Sequence, residues 1–136
     1  MINSYNISLL SNNEKILFNI NNKFFKKFNY NKEKFLNPKI KLLFEKINNN
    51  NYFIFKFYFL GKITLICDIS NNKFLFKIKK KKILNIFFGK KKVESDNYLI
   101  IPLNSRNINI SKYIYEYILL MLPFKRIDPK IKSLIY

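Results

Sequence analysis

The chain has no histidine, no tryptophan, one cysteine (Cys67) and two glycines among its 136 residues. Each scarcity closes a class of chemistry. Without an imidazole, a cysteine nucleophile has no histidine base to form its thiolate, which excludes a cysteine protease or a His-assisted hydrolase. A structural zinc asks for about four good ligands, and one thiolate completed by carboxylates such as Asp68 is a poor set. One cysteine excludes an internal disulfide framework and suits a reducing compartment. With so little glycine there is no Walker A loop and no Gly-x-Gly-x-x-Gly element, so the usual phosphate cradles are missing. No metal and no other cofactor is expected, and the expected protein is not an enzyme.

Acidic residues are also few: 8 Asp plus Glu stand against 26 Lys plus Arg, a formal charge of +18. Such an excess attracts polyanions, and nucleic acid is the first partner to consider. Lys, Asn, Ile, Phe and Tyr all have A/T-rich codons, however, so charge alone does not assign a partner. Glu94 and Asp96 sit in a polar loop, where two acids mean solvent contact more often than paired catalysis. The longest apolar segments, Tyr52 to Leu60 and Tyr113 to Phe124, contain Lys or Glu and fall short of the ~20 residues of a membrane helix. The first twenty residues do not read as a signal peptide. A cytoplasmic protein without a membrane partner is expected.

What the chain has in abundance is aromatic and β-branched residues in short runs between asparagine-rich turns. "EKILFNI", Glu14 to Ile20, predicts a strand ended by Asn21-Asn22, and Phe24, Phe25 and Phe28 predict a helical turn near 23–28. Residues 39–47 read as strand or short helix. After the turn at Asn48 to Asn51, "YFIFKFYFL" predicts a strand, Gly61-Lys62 a tight connection and "ITLICDI" the next strand. Beyond Asn71-Asn72, "KFLFKIK" and "KKILNIFF" read as a hairpin from Lys73 to Phe88. In its first strand, Phe74, Phe76 and Ile78 share one face, while Lys73, Leu75, Lys77 and Lys79 share the other. "YLIIPL" follows the loop "GKKKVESDN".

One helix, about residues 111–122, starts at Ser111 as N-cap and stops before Pro123. Ile110, Tyr113, Ile114, Tyr117, Ile118, Met121 and Leu122 form its core stripe. The expected fold is α+β: a curled antiparallel β-sheet or partial barrel packed with that helix and the turn near 23–28. It forms a single domain over 1–136, with loose ends at 1–12 and 130–136.

Candidate phosphate contacts are the densest basic run, Lys77, Lys79, Lys80, Lys81 and Lys82, then Lys90, Lys91 and Lys92. A C-terminal group of Lys125, Arg126, Lys130 and Lys132 completes them. A hairpin would place the first two groups on one rim, a footprint for structured RNA read by backbone and shape. The alternative is a protein-interaction or dimerisation module, with Tyr115, Leu119 and Leu120 in an exposed apolar helix face.

Two stretches are more specific. "INISKYIYEYILLMLPFKRIDP", Ile108 to Pro129, resembles the most recognisable segment of the YceD family, the large ribosomal RNA subunit accumulation proteins. There an acidic helix residue and an aliphatic run lead to a Leu-Pro or Ile-Pro step and a basic or polar patch. Tyr115, Glu116, Ile118, Leu119, Leu122, Pro123 and the Lys125-Arg126 pair are similar to the form carried by Bacteroidota-type members. "ICDIS" resembles the family's Cys-x-x-Cys: Cys67 and Asp68 match, Ile69 stands where many members have Arg, and Ser70 replaces the second Cys. Phe24-Phe25 and the strand-Gly61-strand unit are similar in spacing to the family's N-terminal half.

In the tail, either Asp128 stands where many members have His, or Asp128-Pro129-Lys130 is similar to an Asp-Pro-Arg-Trp segment with Ile131 in place of Trp. The resemblance implies a shortened YceD-like domain from a reduced A/T-rich genome, with a degenerate, metal-free Cys-x-x-Cys. It further implies non-enzymatic support of 23S rRNA accumulation and large ribosomal subunit biogenesis in the bacterial cytoplasm. The implied partner is ribosomal RNA, a large-subunit assembly intermediate or a ribosomal protein.

Overall fold

Side chains that alternate apolar and polar at every second residue suit strands with one covered face. In the computed structural model, which describes residues 5–28 and 35–131, such stretches form longer strands than the turn signals suggest. The elements are β1 (Asn6–Ser8), β2 (Glu14–Ile20), α1 (Asn22–Lys26), β3 (Leu36–Asn49), β4 (Tyr52–Ile66), β5 (Lys73–Gly89), β6 (Val93–Glu94), β7 (Tyr98–Pro102), β8 (Asn107–Asn109) and α2 (Ser111–Met121). A curled six-stranded sheet runs in the order β2-β3-β4-β5-β7-β6, and β1 and β8 form a separate two-stranded sheet. Among the described residues the large sheet does not close into a barrel.

Three expectations about the large sheet need correction. The sheet is mixed rather than antiparallel, because β7 lies parallel to β5 while β6 lies antiparallel to β7. The "GKKKVESDN" segment turns twice and uses β6 as its return leg, so β7 enters beside β5 in the same direction. There is no hairpin between Lys73 and Phe88: β5 is one strand, paired to β4 from Lys73 to Ile86 without a register shift. Nor is Gly61 a turn, since β4 runs straight through it.

Gly61 is needed for close approach. A Cβ there would collide with the Lys39 carbonyl oxygen and lie 2.6 Å from the Ile40 Cα. Beside it, the β3–β4 register shifts between Leu36 and Lys39. This irregularity contains Asn37 at φ 47° and Pro38, which lacks an N–H for the ladder. Asparagine also serves the tight turns, with Asn50 at φ 42° and Asn71 at φ 61°, a left-handed conformation it tolerates better than most residues.

The inner face of the large sheet is the core. Leu42, Phe44, Phe55, Phe57, Ile63 and Leu65 are wholly buried there, and the Phe44 ring meets those of Phe55 and Phe57 edge-on at 5.0 and 5.3 Å. Burying such a ring contributes about 1.5–3 kcal/mol. Helix α2 adds Ile114 and Ile118, both wholly buried, and Tyr117, whose ring meets Phe57 at 5.2 Å. Its N-cap position is Ile110, and the capping oxygen comes from Asn109, whose Oδ1 accepts from Ser111 N–H at 2.9 Å and Ser111 Oγ at 2.6 Å. Ser111 is therefore the first helical residue rather than the cap. The helix ends at Met121, before the extended Leu122 and Pro123.

In the 23–28 stretch, α1 is capped by the Asn21 side chain and buries Phe24 and Phe25. Within the end expected to be loose, residues 6–8 form β1 and Ile7 is buried. Of the other end, residues 132–136 lie outside the described residues, and Lys132 with them. No helix among the described residues is long and apolar enough to cross a membrane.

Candidate nucleic-acid interface

Because β5 is one unbroken strand, its two-residue period divides the lysine run between two faces. Ile78, Leu84 and Ile86 are buried, which fixes the even positions inward. Lys77, Lys79 and Lys81 therefore point outward, and Lys80 and Lys82 point to the inner face beside α2. The predicted cluster of five is not one surface.

The outward lysines join others that come from distant parts of the chain. Cross-strand register puts Lys15, Glu45, Lys56 and Ile83 in one outer row, and Leu17, Leu43, Tyr58 and Lys81 in the next. The following rows are Asn19, Lys41, Leu60 and Lys79, then Lys39, Lys62 and Lys77. Leu17 at 61% exposure and Leu60 at 60% show that nothing among the described residues lies over the middle of this face. Glu45 is its only acid in these rows, 4.0 Å from Lys15. Tyr58 lies half-buried under Lys81, whose Nζ is 5.5 Å from the ring centroid. Farther along the same face, Tyr52 stacks on Phe87 at 5.0 Å, and Phe87 meets Tyr98 at 6.4 Å.

Sequence reasoning missed Lys15, Lys39, Lys41, Lys56, Lys62 and Tyr58 as members of this surface. They are single polar residues inside apolar strands, and only register brings them together. The alternation in β3, with Ile40, Leu42 and Phe44 inward, marks Lys39 and Lys41 as outward; it says nothing about their neighbours across the sheet.

The other predicted basic groups stand apart. Lys90 and Lys91 are exposed in the turn after β5, and Lys92 is held by Glu94 at 3.0 Å. Glu94 also takes Lys112 at 3.2 Å, and hydrogen bonding from Lys92 is the leading cause that holds its carboxyl below the usual range. Lys125 lies near Leu75 and Lys77 at the opposite end of β5. At ~3.3 Å per residue, a strand of this length separates the two groups by up to roughly 45 Å.

Of the residues on which the resemblance rests, Cys67 and Asp68 meet the 126–128 segment. Cys67, wholly buried, closes the β4–β5 turn: its N–H donates to the Asn72 carbonyl at 2.8 Å, and its carbonyl accepts from Asn71 at 3.0 Å. Asp68 N–H donates to the Arg126 carbonyl at 2.6 Å, and Asp68 Oδ2 accepts from Arg126 N–H at 2.9 Å. The Asp128 N–H points at Cys67 Sγ, 3.3 Å away. This contact and donors in the 69–70 turn lower the thiol to about 7. Cys67 and Asp68 thus dock the 126–128 segment onto the turn. Tyr115 stacks on Phe28 at 4.3 Å, and Glu116 faces solvent. Among the described residues no group of His, Cys, Asp or Glu is placed to hold a metal ion.

Another cation missed in the sequence is Lys46, which is wholly buried. Its Nζ donates to the Ser8 carbonyl at 2.7 Å and to the Ser11 carbonyl and Oγ, both at 2.8 Å. Desolvation pushes the ammonium below its ordinary pKa, and Glu14 opposes this. Three acceptors satisfy its three donors, so Lys46 ties the β1–β2 connection to the sheet.

No family model, no curated protein and no solved structure matches this chain.

Proposed function

We propose that the protein binds RNA on the outer face of its sheet, without catalysing a reaction on it. Large-subunit ribosomal RNA is the first target, as the YceD-like segments imply. The observation that carries this reading is the segregation of charge. Four strands contribute lysines to the outer rows with Glu45 as the single acid, whereas Glu94, Asp96 and Glu116 gather on the α2 side.

Lys77, Lys79 and Lys81 form a line of point charges ~6.6 Å apart along β5, suited to a phosphate backbone. Tyr58 and the Tyr52, Phe87 and Tyr98 cluster offer ring surface on which unpaired bases stack. Lysine ammonium groups and stacking are tolerant of sequence, so selection would rest on RNA shape and single-strandedness.

In-cell crosslinking followed by sequencing of bound RNA tests the reading. It should recover large-subunit rRNA, and purified protein should release that RNA as salt rises. Recovery of no ribosomal RNA, or affinity undiminished at high salt, would overturn it.

A second reading, a protein-interaction or dimerisation surface, draws on Leu120 and Phe124, 80% and 99% exposed. Tyr115 and Leu119 contribute less, because both pack against the core. A salt-resistant dimer in native mass measurement would support that reading.

A further inference from the structure

β5 is paired on one side along nearly its whole length, but on the other side β7 covers only Asn85 to Gly89. Among the described residues, no strand pairs with the stretch before it. The backbone direction of this open edge follows from one bond: Asn85 N–H donates away from β4, to the Asn97 carbonyl. Residues two apart in a strand point their N–H and C=O groups the same way. Leu75, Lys77, Lys79, Lys81 and Ile83 therefore present backbone donors and acceptors to the open side.

Beneath this edge lies a groove of about 370 Å³, walled by Phe76, Ile78, Lys80 and Lys82 on one side and Tyr117, Leu120 and Met121 on the other. It is followed toward Pro123 and Lys125 by another of about 460 Å³. Leu120 is 80% exposed over it. The Tyr117 hydroxyl is buried, and among the described residues it has no hydrogen-bond partner. Burial keeps that hydroxyl protonated well above the ordinary tyrosine range, so it is a donor awaiting an acceptor.

The geometry points to β-augmentation: we propose that the open edge of β5 receives an extended acidic segment of a partner protein as an added strand. Main-chain bonds to residues 75–83 would hold it. Carboxylates on its outer side would pair with Lys77, Lys79 and Lys81 across the strand boundary. Small apolar side chains on its inner side would cover Ile78 and Leu120, with one inward carboxylate reaching Lys80, Lys82 and the Tyr117 hydroxyl. Glu94, Asp96 and Glu116 close the groove beyond Lys82, which limits an acidic strand to the stretch before β7. A second copy of this chain is a poor occupant, because antiparallel β5–β5 pairing would set lysine against lysine. Inward-pointing and edge lysines are the means by which sheets avoid such self-pairing.

The test is titration of the full chain with an end-blocked peptide alternating glutamate and valine, followed by backbone NMR. Saturable binding with new amide protection over residues 75–83 is expected. N-methylation of alternate peptide residues, which removes the peptide N–H groups that would donate to the β5 edge carbonyls, should weaken binding by about tenfold or more. Lys79→Pro should do the same to the protein, since proline removes one edge N–H. The N-methylated peptide decides the matter on unmodified protein if that variant misfolds. Lys41→Glu with Lys62→Glu, on the outer face, should leave peptide protection in place while RNA binding falls. Equal binding of the N-methylated peptide or of polyglutamate would reduce the effect to charge and overturn the proposal. So would the absence of saturable binding.

Discussion

The two faces of β5 carry lysines from the same short run, yet their surroundings have little in common. Lys77, Lys79 and Lys81 continue rows that begin on β2 and β3 and meet almost no acid. Lys80 and Lys82 lie over apolar side chains, with Lys82 Nζ 5.4 Å from the centroid of the Tyr117 ring. One group belongs to a broad cationic field and the other to the wall of a groove. A basic run is therefore a weak unit of function in a strand, because the pleat divides it and hydrogen-bond register re-sorts it.

The largest effect should come from reversing the outer field. Lys41→Glu, Lys62→Glu and Lys79→Glu together should lower affinity for a single-stranded RNA by about a hundredfold or more near 0.1 M salt. Replacing Lys90, Lys91 and Lys125 in the same way should cost much less. With alanine in place of the three outer lysines, the salt slope of log Kobs should fall by about 2, measurable by fluorescence anisotropy. Equal losses for the two sets would erase the distinction between the outer face and the basic groups that stand apart from it.

Gly61→Ala attacks the assembly of the outer rows rather than their charge. The added methyl meets backbone of β3, which cannot rotate away, so thermal or urea unfolding should show a loss of about 1–3 kcal/mol. Lys46→Met acts on the inner side. Leaving the Ser8 and Ser11 acceptors without their donor should cost about 1–3 kcal/mol and loosen β1 in hydrogen exchange, with RNA affinity unchanged. A loss of RNA binding there without unfolding would show that the faces are coupled.

The smallest effect is expected at Cys67. The folded thiol, near 7, lies below its ordinary value of 9.0, so the thiolate is favoured by folding. That contribution is complete above the unfolded pKa, declines as pH falls toward 7 and is absent below it. Thiolate absorbance should report titration near 7. Cys67→Ser should remove the rise in stability between those values while zinc stays at background and RNA affinity holds within about twofold. Stoichiometric zinc lost with the substitution would restore a metal role.

Much of the fold was legible, because alternation and turn chemistry are local. Glu14–Ile20 is the predicted strand, the helix lies where Pro123 and the Ile114 and Ile118 stripe place it, and the turns expected at Asn48 to Asn51 and at Asn71-Asn72 are formed, with Asn50 and Asn71 in the left-handed region. Gly61 misled because a glycine in a turn and a glycine under a neighbouring backbone read alike. The lysines at 79–82 misled because a charged stretch resembles a break between strands when it is the exposed edge of one. The parallel entry of β7 and the outer rows depend on pairing between residues far apart in the chain, which no short window contains.

The most direct measurement is ultraviolet crosslinking of the full chain to a 4-thiouridine RNA, with the joined peptides identified by mass spectrometry. The outer-face account predicts adducts on β4 and β5 at Tyr58 and among residues 77–81, displaced by unlabelled RNA and reduced at high salt. Adducts confined to the Lys90–Lys92 turn, the 125–126 segment or the α2 groove would contradict it.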